Sequence, residues 1–195
     1  MKPLVSIGMP VYNDISFIES SLKSILAQQF ENFVLLISDD GSTDGSAVIC
    51  AKYAEMDSRI TVIQQAKNLG ISDNMKFLFN QAKTEYFMWA ADDDLWDPSF
   101  LSTCIGLLRE NPMAIVGFCK VETVDDHGET LEVISNPNYS NNSAYKRLRA
   151  FAKNPIDGFG YGLFRREQIL KVNFPTWWWP NRKTPYNNIY PSLCY

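Results

Sequence analysis

Short apolar runs alternate with amphipathic stretches through the first two thirds of the chain. Val5 to Met9 is an apolar run that predicts a strand. Asn13-Asp14 is a helix-start signal, and after it Ile15, Ile18, Leu22 and Ile25 recur at the three- and four-residue spacing of one helical face. Phe33-Val34-Leu35-Leu36-Ile37 is continuously apolar, as in a strand buried on both sides. A Gly/Ser/Asp-rich turn follows, then a helix over Ser46–Ala54. Ile60–Ile63 predicts a third strand, Ser72–Ala82 a helix, and Tyr86–Trp89 a fourth strand running straight into Asp92-Asp93-Asp94. Phe100–Leu108 predicts a helix and Ala114–Cys119 a fifth strand.

This alternation predicts an α/β fold: three α/β/α layers around a mostly parallel, Rossmann-like central sheet. Ligands on such sheets bind beyond the carboxyl ends of the strands. Three polar clusters fall there: Pro10-Val11-Tyr12-Asn13 after strand one, Asp39 to Asp44 after strand two, and Asp92 to Asp94 after strand four. The later chain is less regular. Asn136 to Asn142 is a polar loop, Ala144–Ala152 predicts a helix, Tyr161–Phe164 a strand and Glu167–Lys171 a short helix. The tail carries Trp177-Trp178-Trp179 among prolines. The expected division is a nucleotide-binding half over 1–120 and a partial acceptor-binding half over 121–195, within one domain.

Composition narrows the chemistry. The chain has 195 residues, with 18 Lys+Arg against 22 Asp+Glu. The acidic balance speaks against a nucleic-acid partner, which needs clustered cations. A single histidine, His127, excludes a multi-histidine metal site within the chain, and its Asp125–Glu129 context reads as a hairpin turn. Cys50, Cys104, Cys119 and Cys194 lack zinc-knuckle or redox spacing, so they read as thiols in a reducing compartment. No run of about 18 apolar residues is present to span a membrane.

The acidic clusters carry the chemistry. Asp39-Asp40-Gly41-Ser42-Thr43-Asp44-Gly45-Ser46 fails as a calcium loop, because Ala51 stands where a bidentate Glu is required. Two acids at a strand end instead suit a donor-rich ligand edge, such as a base N–H or ribose hydroxyls. Asp44 or Ser46 also suits a helix cap. Asp92-Asp93-Asp94 crowds three carboxylates, an arrangement favoured when a hard cation such as Mg²⁺ or Mn²⁺ sits among them with substrate phosphates. One acid, Asp94 or Asp97, is expected to cap the next helix. In Asn68-Leu69-Gly70, glycine permits close backbone approach, and Asn74 can offer its amide. Tyr12 is a candidate to stack on a base.

In this order the motifs closely resemble family 2 glycosyltransferases. They are Val5-Ser6-Ile7 with Met9-Pro10-Val11-Tyr12-Asn13, Ile37 with Asp39 to Asp44, Asn68-Leu69-Gly70 with Asn74, Asp93-Asp94 with Trp96, and Gly162-Leu163-Phe164-Arg165-Arg166-Glu167. The resemblance implies a glycosyltransferase A-type fold. It implies metal-dependent transfer of a sugar from a UDP- or GDP-sugar to an acceptor hydroxyl, with inversion. It places Pro10, Tyr12 and Asn13 on the nucleoside side, with Asp40 accepting from a uracil N–H and Asp39 supporting that turn. Asn74 then sits near the base or diphosphate, Asp92 at the ribose or sugar, and Asp93 on Mg²⁺ or Mn²⁺.

Two departures matter. Ala91 stands where the family often has an acid, so the acidic pair shifts to Asp92-Asp93 and metal coordination rests on one carboxylate. No Asp or Glu follows Glu167, where the family carries its catalytic base. The base therefore reads as absent, the chain as truncated on the acceptor side and expected to transfer sugar poorly or not at all, and Asp157 as the remaining late candidate. A non-catalytic nucleotide-sugar-binding domain is the alternative reading. A sugar nucleotidylyltransferase is the third, and it lacks the basic Gly-rich loop it would need after strand one. The expected setting is polysaccharide biosynthesis in the cytoplasm, peripherally at the inner membrane face. The expected acceptor is a saccharide or lipid-linked, and the Trp-rich tail is expected to favour a homo-oligomer.

Overall fold

The computed structural model describes residues 2–125, 130–134, 143, 145–146, 149, 160–171 and 190–191. Its main sheet has six strands: β1 (Val5–Val11), β2 (Phe33–Asp39), β3 (Ile60–Gln64), β4 (Tyr86–Trp89), β5 (Val116–Gly117) and β8 (Leu163–Arg165). Their spatial order is β3-β2-β1-β4-β8-β5. β1 pairs in parallel with β2 on one side and β4 on the other, and β2 pairs in parallel with β3. A smaller sheet joins β6 (Val121–Val124), β7 (Thr130–Ile134) and β9 (Tyr190–Pro191), with β6 antiparallel to both neighbours.

The mostly parallel α/β sheet is the one that the alternating pattern predicts. The strand expected over Tyr161–Phe164 is present as β8, although its direction is not legible in the sequence. It enters antiparallel between β4 and β5, with Phe164 opposite both Phe87 and Val116. Its three residues carry no periodicity that distinguishes parallel from antiparallel pairing.

Side-chain alternation divides the core into two layers. Val5, Ile7, Met9 and Val11 of β1 face the helices α1 (Ile18–Leu26), α2 (Ser46–Met56) and α4 (Phe100–Glu110), through Ile18, Leu22, Ile25, Cys50, Phe100 and Leu101. The opposite face packs α3 (Ile71–Gln81) and α5 (Arg166–Leu170), through Leu78, Phe79 and Ile169 against Phe87 and Trp89. Phe87 meets Phe79 and Trp89 edge-on, at ring-centre distances of 5.1 and 4.6 Å.

Helix α1 begins later than its sequence signal. The Asp14 carbonyl accepts from the amides of Phe17 and Ile18, so a turn precedes the helix and Ile15 is exposed rather than on the core face. Asp97, not Asp94, prepares α4: its Oδ1 accepts from the Ser99 amide and hydroxyl. Cys50 and Cys104 are buried thiols, each pushed up to about 12 by burial, so neither is a nucleophile. Cys119 is buried with its sulfur 3.7 Å from that of Cys104. His127, Asp157, Cys194 and Trp177–Trp179 lie outside the described residues, as does most of the helix expected over Ala144–Ala152.

Gly8 lets the α3 face close on the central strand. A Cβ there would stand 3.0 Å from the Phe87 ring and 3.3 Å from Leu78 Cβ. Gly8→Val is therefore expected to destabilise the fold by about 1–3 kcal/mol through overpacking. Each kcal/mol lowers the melting temperature of a domain this size by about 2–4 °C. An unchanged thermal melt would show that the layer yields at no cost.

Candidate nucleotide-sugar site

The parallel register brings three strand ends together. Val11 pairs with Asp39, and Gly8 with Trp89. The ladder continues one step beyond the strands: the Asp40 amide donates to Val11 O, and the Ala90 amide to Gly8 O. The loops after β1, β2 and β4 therefore rise side by side. β4 returns to the far side of β1 from β2, so the boundary between β1 and β4 is the switch point where such sheets bind ligands.

The first two loops are laced together. The Asn13 amide donates to Ser42 Oγ at 3.0 Å, and Asn13 Oδ1 accepts from the Thr43 amide at 2.8 Å. The Asp14 amide donates to Ser46 Oγ at 2.9 Å, and the Ile15 amide to Asp44 Oδ2 at 2.8 Å. Asp44 Oδ1 also accepts from the Ser46 amide, at the start of α2. Asn13 adopts a positive φ of 55°, which an asparagine tolerates better than most residues. The third loop joins through the Tyr12 amide, which donates to Asp92 Oδ2 at 3.3 Å.

A cleft of about 360 Å³ opens over this junction. Pro10, Tyr12, Asp40, Asn74 and Asp92 line it, together with Val11, Ile71 and the Asn68 and Gly70 turn. Five of the residues expected on the nucleotide side thus meet in one place. Tyr12 is half-exposed at its rim. Asn13, Asp39 and Asp93 do not line it. Asn13 ties the loops together, and Asp39 lies buried behind them, accepting from the Ser42 amide at 3.3 Å.

Asp40 is held more firmly than its motif suggests. It is buried, and its two oxygens accept from the amides of Leu69 and Gly70 at 2.7 and 2.9 Å. It therefore anchors the turn before α3 to the end of β2. Gly70 needs its positive φ of 80° for that turn. Asn74, one turn into α3, donates from Nδ2 to the Ser38 carbonyl at 2.9 Å.

The acids repel one another. Burial pushes the Asp92 carboxyl up to about 7, helped by the negative charges of Asp14 and Asp93. Burial, then Asp93 and Asp44, pushes Asp14 up to about 6. Asp93 is raised by burial, and Asp94 is raised well above its ordinary range by burial and its two neighbours. Asp14 is the site acid that its sequence signal concealed, because it reads there as an ordinary helix start. Among the described residues, no group of three or more carboxylate, thiol or imidazole side chains is gathered closely enough to hold a metal. The donor set still fits a divalent cation of the kind that takes one or two carboxylates and completes its shell with phosphate oxygens and water.

Residues 6–172 match the family described as Glycosyl transferase family 2. The chain belongs to glycosyl transferase family 2. Among its curated relatives, the uncharacterized glycosyltransferase RT0329 of Rickettsia typhi is 29% identical over 131 residues, covering 67% of this chain and 40% of that protein. Glycosyltransferase GlyG of Streptococcus pneumoniae is 28% identical over 116 residues, covering 60% of this chain and 38% of that one. The chain spans about half or less of the length of the first curated relatives it matches. Its fold is similar to that of S. aureus TarS 1-349 in complex with UDP-GlcNAc, with a TM-score of 0.68 at 20% identity, over 88% of this chain and 48% of that one. It is also similar to the mannosyltransferase PcManGT of Pyrobaculum calidifontis in complex with GDP-Man and Mn²⁺, with a TM-score of 0.64 at 22% identity, over 90% of this chain and 48% of that one. The likeness shows the glycosyltransferase A-type fold. No helix among the described residues is long and apolar enough to cross a membrane.

The raised acids make stability depend on pH. A carboxyl whose folded pKa lies above its unfolded value binds more protons when folded, so its stabilisation is full below the unfolded pKa and is lost as pH rises. For Asp14 and Asp92 the loss runs from their ordinary 3.8 through about 6 and about 7. The melting temperature of the ligand-free family member should therefore fall between about pH 5 and about pH 7.5, and Asp92→Asn should flatten the fall. A melting temperature that rises over this window would show that these acids are not desolvated.

Proposed function

We propose that the cleft binds the nucleotide of a sugar donor, UDP- or GDP-linked, together with Mg²⁺ or Mn²⁺. The protein would then transfer the sugar to an acceptor hydroxyl with inversion. The observation that carries this reading is the meeting of Pro10, Tyr12, Asp40, Asn74 and Asp92 in one cleft at the β1/β4 switch point. TarS with UDP-GlcNAc and PcManGT with GDP-Man and Mn²⁺ support the ligand class by analogy of fold.

In this reading Pro10 and Tyr12 flank the nucleoside. Asp40 accepts from the base N–H while it holds the Leu69–Gly70 turn, with Asp39 supporting that turn from beneath and Asn13 bracing the adjoining loop. Asp92 faces the ribose or sugar, and Asp93 holds the cation beside the diphosphate. A cation there supplies positive charge against the growing charge of the leaving diphosphate. It also offsets the mutual repulsion of Asp14, Asp92 and Asp93. Residues 1–120 form the nucleotide half and 121–195 contribute to the acceptor side. Asp157 is the proposed place to look for a proton acceptor. The acceptor is proposed to be a saccharide or a lipid-linked one, in polysaccharide assembly at the cytoplasmic side of a membrane, with self-association through the Trp-rich tail.

Calorimetric titration of UDP and of GDP, first with Mn²⁺ and then with EDTA, tests the nucleotide and metal parts. Binding is expected to weaken by about tenfold or more in EDTA, a loss of about 1.4 kcal/mol. Asp93→Ala should reproduce that loss, and Asp94→Ala should cause a smaller one. Equal affinity in both buffers would remove the metal role. A larger loss from the Asp94 change would move the metal position one residue on.

A further inference from the structure

We propose that Asp44 is a positioning residue for the cleft: from outside it, and with Ser46 as a relay, Asp44 holds the β1 loop that carries Tyr12 and Asp14. The inference rests on the nucleotide reading of the cleft and adds a residue that touches no ligand. Neither Asp44 nor Ser46 lines the cleft. The ordinary role of an aspartate just before a helix is to cap it. That role occupies one oxygen: Asp44 Oδ1 accepts from the Ser46 amide at 2.9 Å, at the start of α2. The other oxygen serves a different loop. Asp44 Oδ2 accepts from the Ile15 amide at 2.8 Å, 29 residues earlier in the chain. A helix cap gives no reason for that second bond.

Ser46 carries the same hold one residue further back. Its hydroxyl donates to Asp44 Oδ1 at 2.6 Å and accepts from the Asp14 amide at 2.9 Å. Ser46 is fully buried, so water does not compete for these bonds. Asp44 thus fixes two successive amides of the β1 loop, Ile15 directly and Asp14 through Ser46. Gly45 lets the two loops approach: a Cβ there would stand 3.0 Å from Ile15 Cδ1, and its φ is 107°. Asn13, the next residue back, is bonded to Ser42 and to the Thr43 amide. Before it comes Tyr12, which lines the cleft and whose amide donates to Asp92 Oδ2 at 3.3 Å. Every residue on the path from Asp44 to the cleft wall is therefore bonded across loops. A β1 loop released from Asp44 would have to be ordered again when ligand binds, and that ordering weakens binding.

The test measures UDP and GDP affinity with Mn²⁺, and amide hydrogen exchange without ligand, on wild type, Asp44→Asn and Ser46→Ala. Thermal melts establish that each variant is folded at the assay temperature. Asparagine caps a helix as well as aspartate does, but its one carbonyl oxygen cannot serve the Ser46 and Ile15 amides together. Ser46→Ala keeps the bond from its own amide to Asp44 and removes only the hydroxyl. Each variant should weaken binding of the nucleotide that wild type prefers by about tenfold. In the ligand-free chain the Tyr12 amide, which neither residue touches, should exchange about threefold faster or more. A capping role alone would speed exchange only in the first turn of α2 and leave Tyr12 and the affinity unchanged, and that result overturns the proposal. Should Asp44→Asn fail to fold, Ser46→Ala carries the same readings. Wild-type binding that both variants match defeats this inference alone. A wild-type chain that binds neither nucleotide defeats the nucleotide reading, and this inference with it.

Discussion

The parallel pairing of β1 with both β2 and β4 is the constraint on which the rest of the site depends. Parallel strands align their carboxyl ends, so the loops that follow must share one edge. Here the alignment continues into the loops as backbone hydrogen bonds, from Asp40 to Val11 and from Ala90 to Gly8. Once those two bonds form, the positions of Asp92 and Asp40 on either side of Tyr12 follow from chain geometry. The lacing between Asn13, Ser42, Thr43, Asp44 and Ser46 then removes the freedom that loops ordinarily keep. Short polar side chains do this well because they reach a neighbouring amide with few rotors to freeze.

The sequence shows most of this frame because parallel strands buried on both faces announce themselves as apolar runs. Phe33–Ile37 and Tyr86–Trp89 have no other reading in an alternating chain. Its limits are physical too. Ile15 continues the three-and-four spacing of α1, yet it lies in the turn that Asp14 caps, because a hydrogen-bonded turn competes with the first turn of a helix. β8 is short and makes its pairing through neighbours distant in sequence, so nothing local in Leu163-Phe164-Arg165 specifies its direction.

The site was legible as a set of residues more than as a set of roles. Runs of acids mark Asp39, Asp40, Asp92 and Asp93, but a run does not say which oxygen is already engaged. Asp40 looks like an open acceptor in its motif. In the fold it is also an anchor, because the turn at Leu69–Gly70 needs partners for two amides. Asn74 looks like part of a helix start, and only the bond to Ser38 shows that one end of its amide is occupied and the other is not. Asp14 acquires its electrostatic character from burial first, then from Asp93, nearly eighty residues away, and Asp44, and no local pattern carries that information.

Six buried side-chain polar atoms among the described residues have no partner within the chain, and four of them belong to Asp14, Asp39, Asn74 and Asp94, in or beside these loops. Each such atom ordinarily costs about 1–3 kcal/mol. A fold selected for stability alone would fill those positions with apolar side chains of similar size or supply each with a donor. The rest of the sheet is built that way: the odd-numbered residues of β1 are apolar and buried, and Thr84 and Ser6 satisfy each other at 2.8 Å on the opposite face. The unsatisfied groups are therefore concentrated where the strands end and the cleft opens, rather than scattered through the core. Of the four, Asn74 belongs to the cleft lining, while Asp14, Asp39 and Asp94 lie in the loops that frame it. In the proposed reading, a nucleotide with a divalent cation brings hydrogen-bond donors and positive charge beside these loops, and part of that cost is then offset on binding.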